Sequence, residues 1–120
     1  MIRRFVRAVI HNATVTHAGA AWPVSLRLDP ILLRSADVQP YEEVEIVNVA
    51  TGSRWSSWVE PAAEGSGEVH VQSGSDHHVR KGEVITIVSY GLLHDGQTLA
   101  HKAKVLTLDG ANRVVTLTEE

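Results

Sequence analysis

"EEVEIVNVATGSRWSSWVEP", Glu42 to Pro61, is the stretch that decides the fold. Its first part alternates Val44, Ile46 and Asn48 against Glu43, Glu45 and Val47. Successive side chains of a strand point to opposite faces, so this alternation describes a half-buried strand. Gly52 then marks a turn, and "SRWSSWVEP" returns as the partner strand of a hairpin. On that return strand Trp55 and Trp58 fall on opposite faces, one for the core and the other for a cleft or interface.

The flanking segments carry the same signal. Phe5 to Val15 is rich in β-branched and apolar residues, and "GEVHVQSG" alternates Val69 and Val71 against Glu68, His70 and Gln72. "GEVITIVSYGLL" is more continuously apolar, which predicts a strand buried on both faces. "KAKVLTLDGANRVVTLTEE" reads as two short strands around Asp109-Gly110, with Glu119-Glu120 as a frayed end. One helix start is well signalled: Asp29 caps, Pro30 takes the first helical position, and "ILLRSA" follows. "PAAEGSG" suggests a second short turn. The pattern predicts one mainly β domain over residues 1–120, a small closed barrel with one or two short helices.

Composition narrows the function classes. The chain has 120 residues, 43% of them hydrophobic, enough for a modest core. Aromatics make up only 5%, so Val, Leu and Ile must fill that core. The net charge of −3 comes without a basic block, which argues against nucleic acid and anionic membranes as partners. The absence of cysteine removes disulfides, thiol nucleophiles and thiolate metal sites, and suits a cytoplasmic location. "MIRRFVRAVIHNATV" has the basic start of a signal peptide, but Arg7 and His11 interrupt its apolar run, so a first strand is expected. No apolar segment is long enough to span a bilayer.

Several short motifs stand in fixed register: "MIRR", "IHNATVTHA", Ser25, "LDP", "NVATGSRWSSW", "EGS" and "KGEVITIVSYG". Through them the chain resembles the aspartate 1-decarboxylase family, small pyruvoyl enzymes that make β-alanine. Beyond Gly91 the resemblance is loose. It implies a six-stranded double-psi β-barrel, a homotetramer, and active sites between neighbouring subunits that take a small-molecule substrate. It also implies self-processing. In the family a serine hydroxyl attacks the carbonyl of the preceding glycine, the amide becomes an ester, and elimination and hydrolysis leave a pyruvoyl group. That ketone forms a Schiff base with the substrate amine and draws electrons as carbon dioxide leaves. Ser25 stands at the self-cleavage position. Ser57 takes the place of a threonine whose hydroxyl supports the cleavage intermediate. Arg54 matches the arginine that clamps a substrate carboxylate, and His11 is in register with the family's histidine.

The pattern breaks at four places, at Val24, Val9, Trp58 and Gln72. Val24 replaces the glycine before Ser25, and a β-branched residue resists the strained backbone that self-cleavage requires. Pro23 holds Trp22 in an extended conformation. Val9 replaces a lysine that helps hold the acidic substrate, and an isopropyl group cannot pair with a carboxylate. Trp58 replaces a tyrosine credited with protonating the decarboxylated intermediate, and an indole N–H is no practical acid. Gln72 replaces an asparagine, keeping the amide. The expected cofactor is therefore none, with pyruvoyl arising from Ser25 only if the Val24–Ser25 bond is cut.

Three functions fit these residues. One is a diverged, unprocessed lyase-type enzyme, with Arg54 as anchor, Ser25, His11, Ser57 and Trp58 at the reacting end, and Val9, Trp22 and Gln72 shaping the cleft for a larger or less charged metabolite, carboxylate-bearing or aromatic, in specialised biosynthesis. The second is an orthodox aspartate 1-decarboxylase, and the third a non-catalytic metabolite-binding homologue. Asp76, His77 and His78 invite a metal reading, but adjacent histidines on a strand face opposite ways, so a polar loop and no metal are expected. His17 reads as a packed strand histidine.

Overall fold

Alternation is what builds this molecule. In the hairpin, Val44, Ile46 and Asn48 are buried while Glu43, Glu45 and Val47 face outward, as their spacing predicts. The computed structural model describes residues 1–19, 25–73 and 79–120. Its strands are β1 (Ile2–Thr14), β2 (His17–Gly19), β3 (Ser25–Leu28), β4 (Glu43–Asn48), β5 (Arg54–Pro61), β6 (Val69–Gln72), β7 (Val84–His94), β8 (Lys104–Leu108) and β9 (Val114–Glu119). One helix, α1 (Pro30–Ala36), follows β3, and a 3-10 turn spans Asp95–Ala100. Among the described residues no helix is long and apolar enough to cross a membrane.

The strands pair in the order β2-β6-β3-β5-β4-β7-β1-β8-β9. Only Val15 and Thr16 separate β1 from β2, and there the chain passes from one neighbour to another. Val15 N donates to Glu83 O at 2.9 Å, beside β7, and Thr16 N donates to Val69 O at 2.9 Å, on β6. The sheet therefore closes through β1 and β2 into a ring of six positions, with β8 and β9 added outside it. Within the ring β5 lies between the antiparallel strands β3 and β4, and β1-β2 lies between β6 and β7. Each is a strand inserted between two sequential ones, and together they form the double-psi barrel.

Aliphatic side chains fill the interior, as the low aromatic content requires. Ile10, Leu26, Leu28, Ile46, Ile85 and Leu106 are all buried. Each contributes about 1.5–3 kcal/mol by leaving water. Trp55 is the tryptophan that packs against this core. Strand β7 departs from the expectation of burial on both faces. Ile85, Ile87 and Ser89 are buried, whereas Val84, Thr86, Val88 and Tyr90 are half-buried on the outside.

Asp29 does more than cap α1. Its carboxylate accepts from the backbone N–H groups of Ile31 (3.0 Å), Gly65 (3.0 Å) and Gly67 (2.9 Å). Burial pushes its carboxyl up, but those bonds and the nearby Arg34 charge outweigh it, and the net shift is below the ordinary value of 3.8. Gly67 must be glycine. Its φ is +67°, and an added Cβ would lie 2.8 Å from Ala111 O. Asn112 completes the knot by donating to Thr14 O (2.8 Å) and Gly67 O (2.9 Å) and accepting from Thr14 N (2.8 Å). "PAAEGSG" is thus a turn held by Asp29, and the second short helical piece is the 3-10 turn, capped by His94 accepting from Gly96 N. The C-terminus is not frayed: Ala103 and Glu120 exchange both backbone hydrogen bonds, at 2.8 and 2.9 Å.

Candidate active site

Register brings Ser25, Trp58 and Gln72 side by side. Ser25 lies opposite Trp58 across the parallel pair β3–β5, and Trp58 lies opposite Glu43 across β5–β4. On the other side Leu26 lies opposite Val71 in the antiparallel pair β3–β6, and one more step of that register sets Ser25 beside Gln72. Gln72 in turn faces Gly19 on β2. One row therefore reads Glu43, Trp58, Ser25, Gln72, Gly19, with neighbours about 4.8 Å apart in the pairing direction. Ser25 is only 5% exposed within it. Trp22, Pro23 and Val24, which lead into this row, lie outside the described residues, as do Asp76, His77 and His78.

A cleft of about 470 Å3 opens at the Trp58 end, lined by Tyr41, Glu43, Ser56, Ser57 and Trp58. Trp58 is the cleft tryptophan, the counterpart of core-facing Trp55. Ser57 is nearly enclosed, 4% exposed, on the alternate face of β5 from Trp58. Tyr41 brings a phenol to this cleft from the loop before β4, with a left-handed φ of 69°. It is the third residue of a turn closed by Glu42 N donating to Gln39 O at 3.1 Å, where Pro40 was the available signal though no glycine marks the left-handed position.

Glu43 and Ser56 also line a second pocket of about 250 Å3 with Arg4, Glu42, Val44, Glu45 and Tyr90. Here Arg54 is found with a partner. Its guanidinium pairs with the Glu45 carboxylate, which also accepts from Tyr90 Oη at 3.0 Å. Arg4 lies over the Tyr90 ring, 3.7 Å from its centroid. The Arg54 hydrogen bond holds the Glu45 carboxyl below its ordinary range, and Glu45 holds Arg54 above its own. Burial first, then Glu45, raises the Tyr90 phenol. Arg54 is exposed, so this pair is a weak one that a ligand carboxylate can compete with.

Val9 lies in a neighbouring row. It faces Val88 on β7 and Val105 on β8, and Val88 faces Glu45 on β4. Position 9 is thus part of an apolar stripe that ends at the Arg54 partner. His11 stands apart. It faces Thr107 on β8, outside the ring, at an irregularity in β1 where Asn12 takes a φ of 63°. The fold unites Ser25, Trp58 and Gln72 in one row, sets Val9 on the adjoining row and Arg54 one row further along β5, turns Ser57 to the opposite face, and leaves His11 off these rows. Sequence reading missed Tyr41, Glu45 and Tyr90. The outward position of Glu45 was legible from alternation, but its pairing with Arg54 needed the strand register.

Comparison with known proteins bears on the family. The family model described as aspartate decarboxylase matches residues 1–115. The aspartate 1-decarboxylase of Listeria monocytogenes is 33% identical over 120 residues, covering 100% of this chain and 94% of that protein. That of Methylibium petroleiphilum is 35% identical over 114 residues, covering 95% of each chain. That of Bordetella pertussis is 34% identical over 114 residues, covering 95% of this chain and 93% of that protein. With its barrel, its Ser25 row and a match along nearly its whole length, this chain belongs to the aspartate decarboxylase family.

Proposed function

We propose that this chain is an unprocessed, lyase-type member of its family that takes a small carboxylate with an apolar or aromatic body rather than aspartate. The observation that carries this reading is the setting of Arg54. Its guanidinium already faces the Glu45 carboxylate, and the neighbouring row supplies Val9, Val88 and Val105. A ligand with one carboxylate can displace Glu45 from Arg54. A second carboxylate would meet the displaced Glu45 and the valine stripe, both unfavourable.

The donor set does not fit a pyruvoyl reaction on aspartate. Residue 9 offers no cation, the indole of Trp58 offers no acid, and Val24 precedes Ser25. The chemistry proposed runs instead on the intact Ser25 hydroxyl and the Gln72 amide as polar groups. Trp58 and Tyr41 form the wall against the ligand's body, and Arg54 is the anchor. His11, off this row within one chain, would join it from a neighbouring copy in a cleft between subunits. The orthodox activity is the second reading, favoured by the relatives named aspartate 1-decarboxylase at about a third identity.

Two measurements on the purified protein separate these readings. Denaturing mass spectrometry should give one full-length species of 13.1 kDa. A smaller fragment ending at Val24 would overturn the unprocessed state. Aspartate should yield little or no β-alanine, because loss of one charged contact costs about 2–5 kcal/mol. Efficient β-alanine production would overturn the substrate claim whatever the mass.

A further inference from the structure

We propose that His17, Glu68 and His70 form a binding site for a divalent transition metal ion of the zinc class, on the outer face of the barrel where β2 meets β6. His17 and His70 are direct partners in the parallel pair, so their imidazoles leave the same face. Their ring centroids are 5.1 Å apart. Glu68 precedes His70 by two positions and so shares that face, with its Oε2 3.5 Å from His70 Nδ1. One ligand atom from each of the three residues lies within 4.8 Å of the other two. Around a tetrahedral ion with ligands at about 2.1 Å, ligand atoms stand roughly 3.4 Å apart. The widest pair of the set thus has at most about 1.4 Å to close.

The donor chemistry selects the ion. Two imidazoles and one carboxylate are a zinc set with a fourth position left open, whereas calcium and magnesium prefer oxygen alone. Thr16 supplies the outer support such sites need. Its hydroxyl donates to Val69 O at 3.1 Å and accepts from Val69 N at 2.9 Å. With its proton so used, it accepts from His17 Nδ1 at 2.8 Å, which leaves the lone pair on His17 Nε2 for the ion. Arg27 opposes binding, since it faces His70 from β3. Gly19 and Gln72, in the Ser25 row, each lie two positions beyond these histidines. The ion would therefore sit about 6.6 Å along the strands from that row. The site is independent of the function proposed for Ser25.

Zinc titration of the full-length, chelator-stripped protein by calorimetry tests this, with cobalt absorption as a second readout of an imidazole-bound ion. One ion per chain is expected at micromolar concentration. His17→Ala and His70→Ala should each weaken binding at least tenfold and abolish the cobalt band, and Glu68→Gln by about tenfold. Arg27→Ala should tighten it several-fold, a gain that damage to the fold would not produce. His101→Ala, a histidine elsewhere on the surface, should leave binding unchanged. No binding at micromolar zinc, or binding that survives in the folded His17→Ala/His70→Ala double variant, would overturn the proposal.

Discussion

In the proposed function two adjacent residues, Val24 and Ser25, decide what chemistry the barrel runs. Ser25 is held in a row between Trp58 and Gln72, so its place in the sheet is kept even though both of those side chains and Val24 depart from the family pattern. Val24→Gly should therefore restore some self-cleavage. Glycine removes two methyl groups and admits strained backbone, a difference of about 1–3 kcal/mol at such a position. That corresponds to roughly a ten- to hundredfold faster cleavage. A time course of intact mass at elevated temperature measures it, with Val24→Gly/Ser25→Ala as the control. Restoration should be incomplete, because Pro23 remains and Trp58 lacks a phenol. If the folded single variant stays whole for days, the block lies at Trp58 or Pro23 rather than at residue 24.

At the scale of elements, one buried carboxylate joins three segments. Asp29 ties β3, α1 and the turn at Gly65–Gly67, and it is 4% exposed. Asp29→Ala strands three N–H donors and removes the helix cap, a loss of about 2–4 kcal/mol. Thermal unfolding should show it as a fall of roughly 10 °C in Tm. The acid response follows in sign. The folded carboxyl is held below 3.8, so its contribution is full above that value and fades as pH falls through the depressed one. The stability gap between wild type and Asp29→Ala should narrow as pH falls through the depressed value; a gap that does not narrow would refute the account. The cap was legible in "LDP", because Asp before Pro is a local signal. Its bonds to Gly65 and Gly67 were not, since they cross more than thirty residues of chain. The same divide runs through the site. Alternation along β4 and β5 told which residues face out, and so separated Trp55 from Trp58. The Ser25 row and the meeting of His17 with His70 depend on which strands become neighbours, and in a psi path these are not consecutive, whereas the Arg54–Glu45 pair lies inside the legible β4–β5 hairpin and needed only its register.

The whole molecule is elongated, 42 × 29 × 25 Å, for a reason visible in its pairing. β1 and β7 run on past the barrel as a two-stranded arm from Ile2–His94 to Val6–Tyr90. Ile2 is 68% exposed, Val6 38% and Leu92 71% on that arm. Isolated two-stranded ribbons are marginal in water, so an apolar arm of this kind calls for a covering surface. We propose a second copy of the chain as that covering, one that would also bring His11, which lies off the Ser25 row within one protomer, to the cleft. A homotetramer is the assembly expected. Light scattering should give close to four times the 13.1 kDa chain mass at micromolar concentration. Leu92→Glu should shift that mass downward, since the buried arm would then have to accommodate an unpaired carboxylate. Asp29→Ala serves as the contrast, lowering stability while leaving the mass of the folded fraction unchanged. A wild-type protein that runs as a 13.1 kDa monomer would remove the neighbour that brings His11 to the site. The Ser25 row would then have to work without the His11 imidazole.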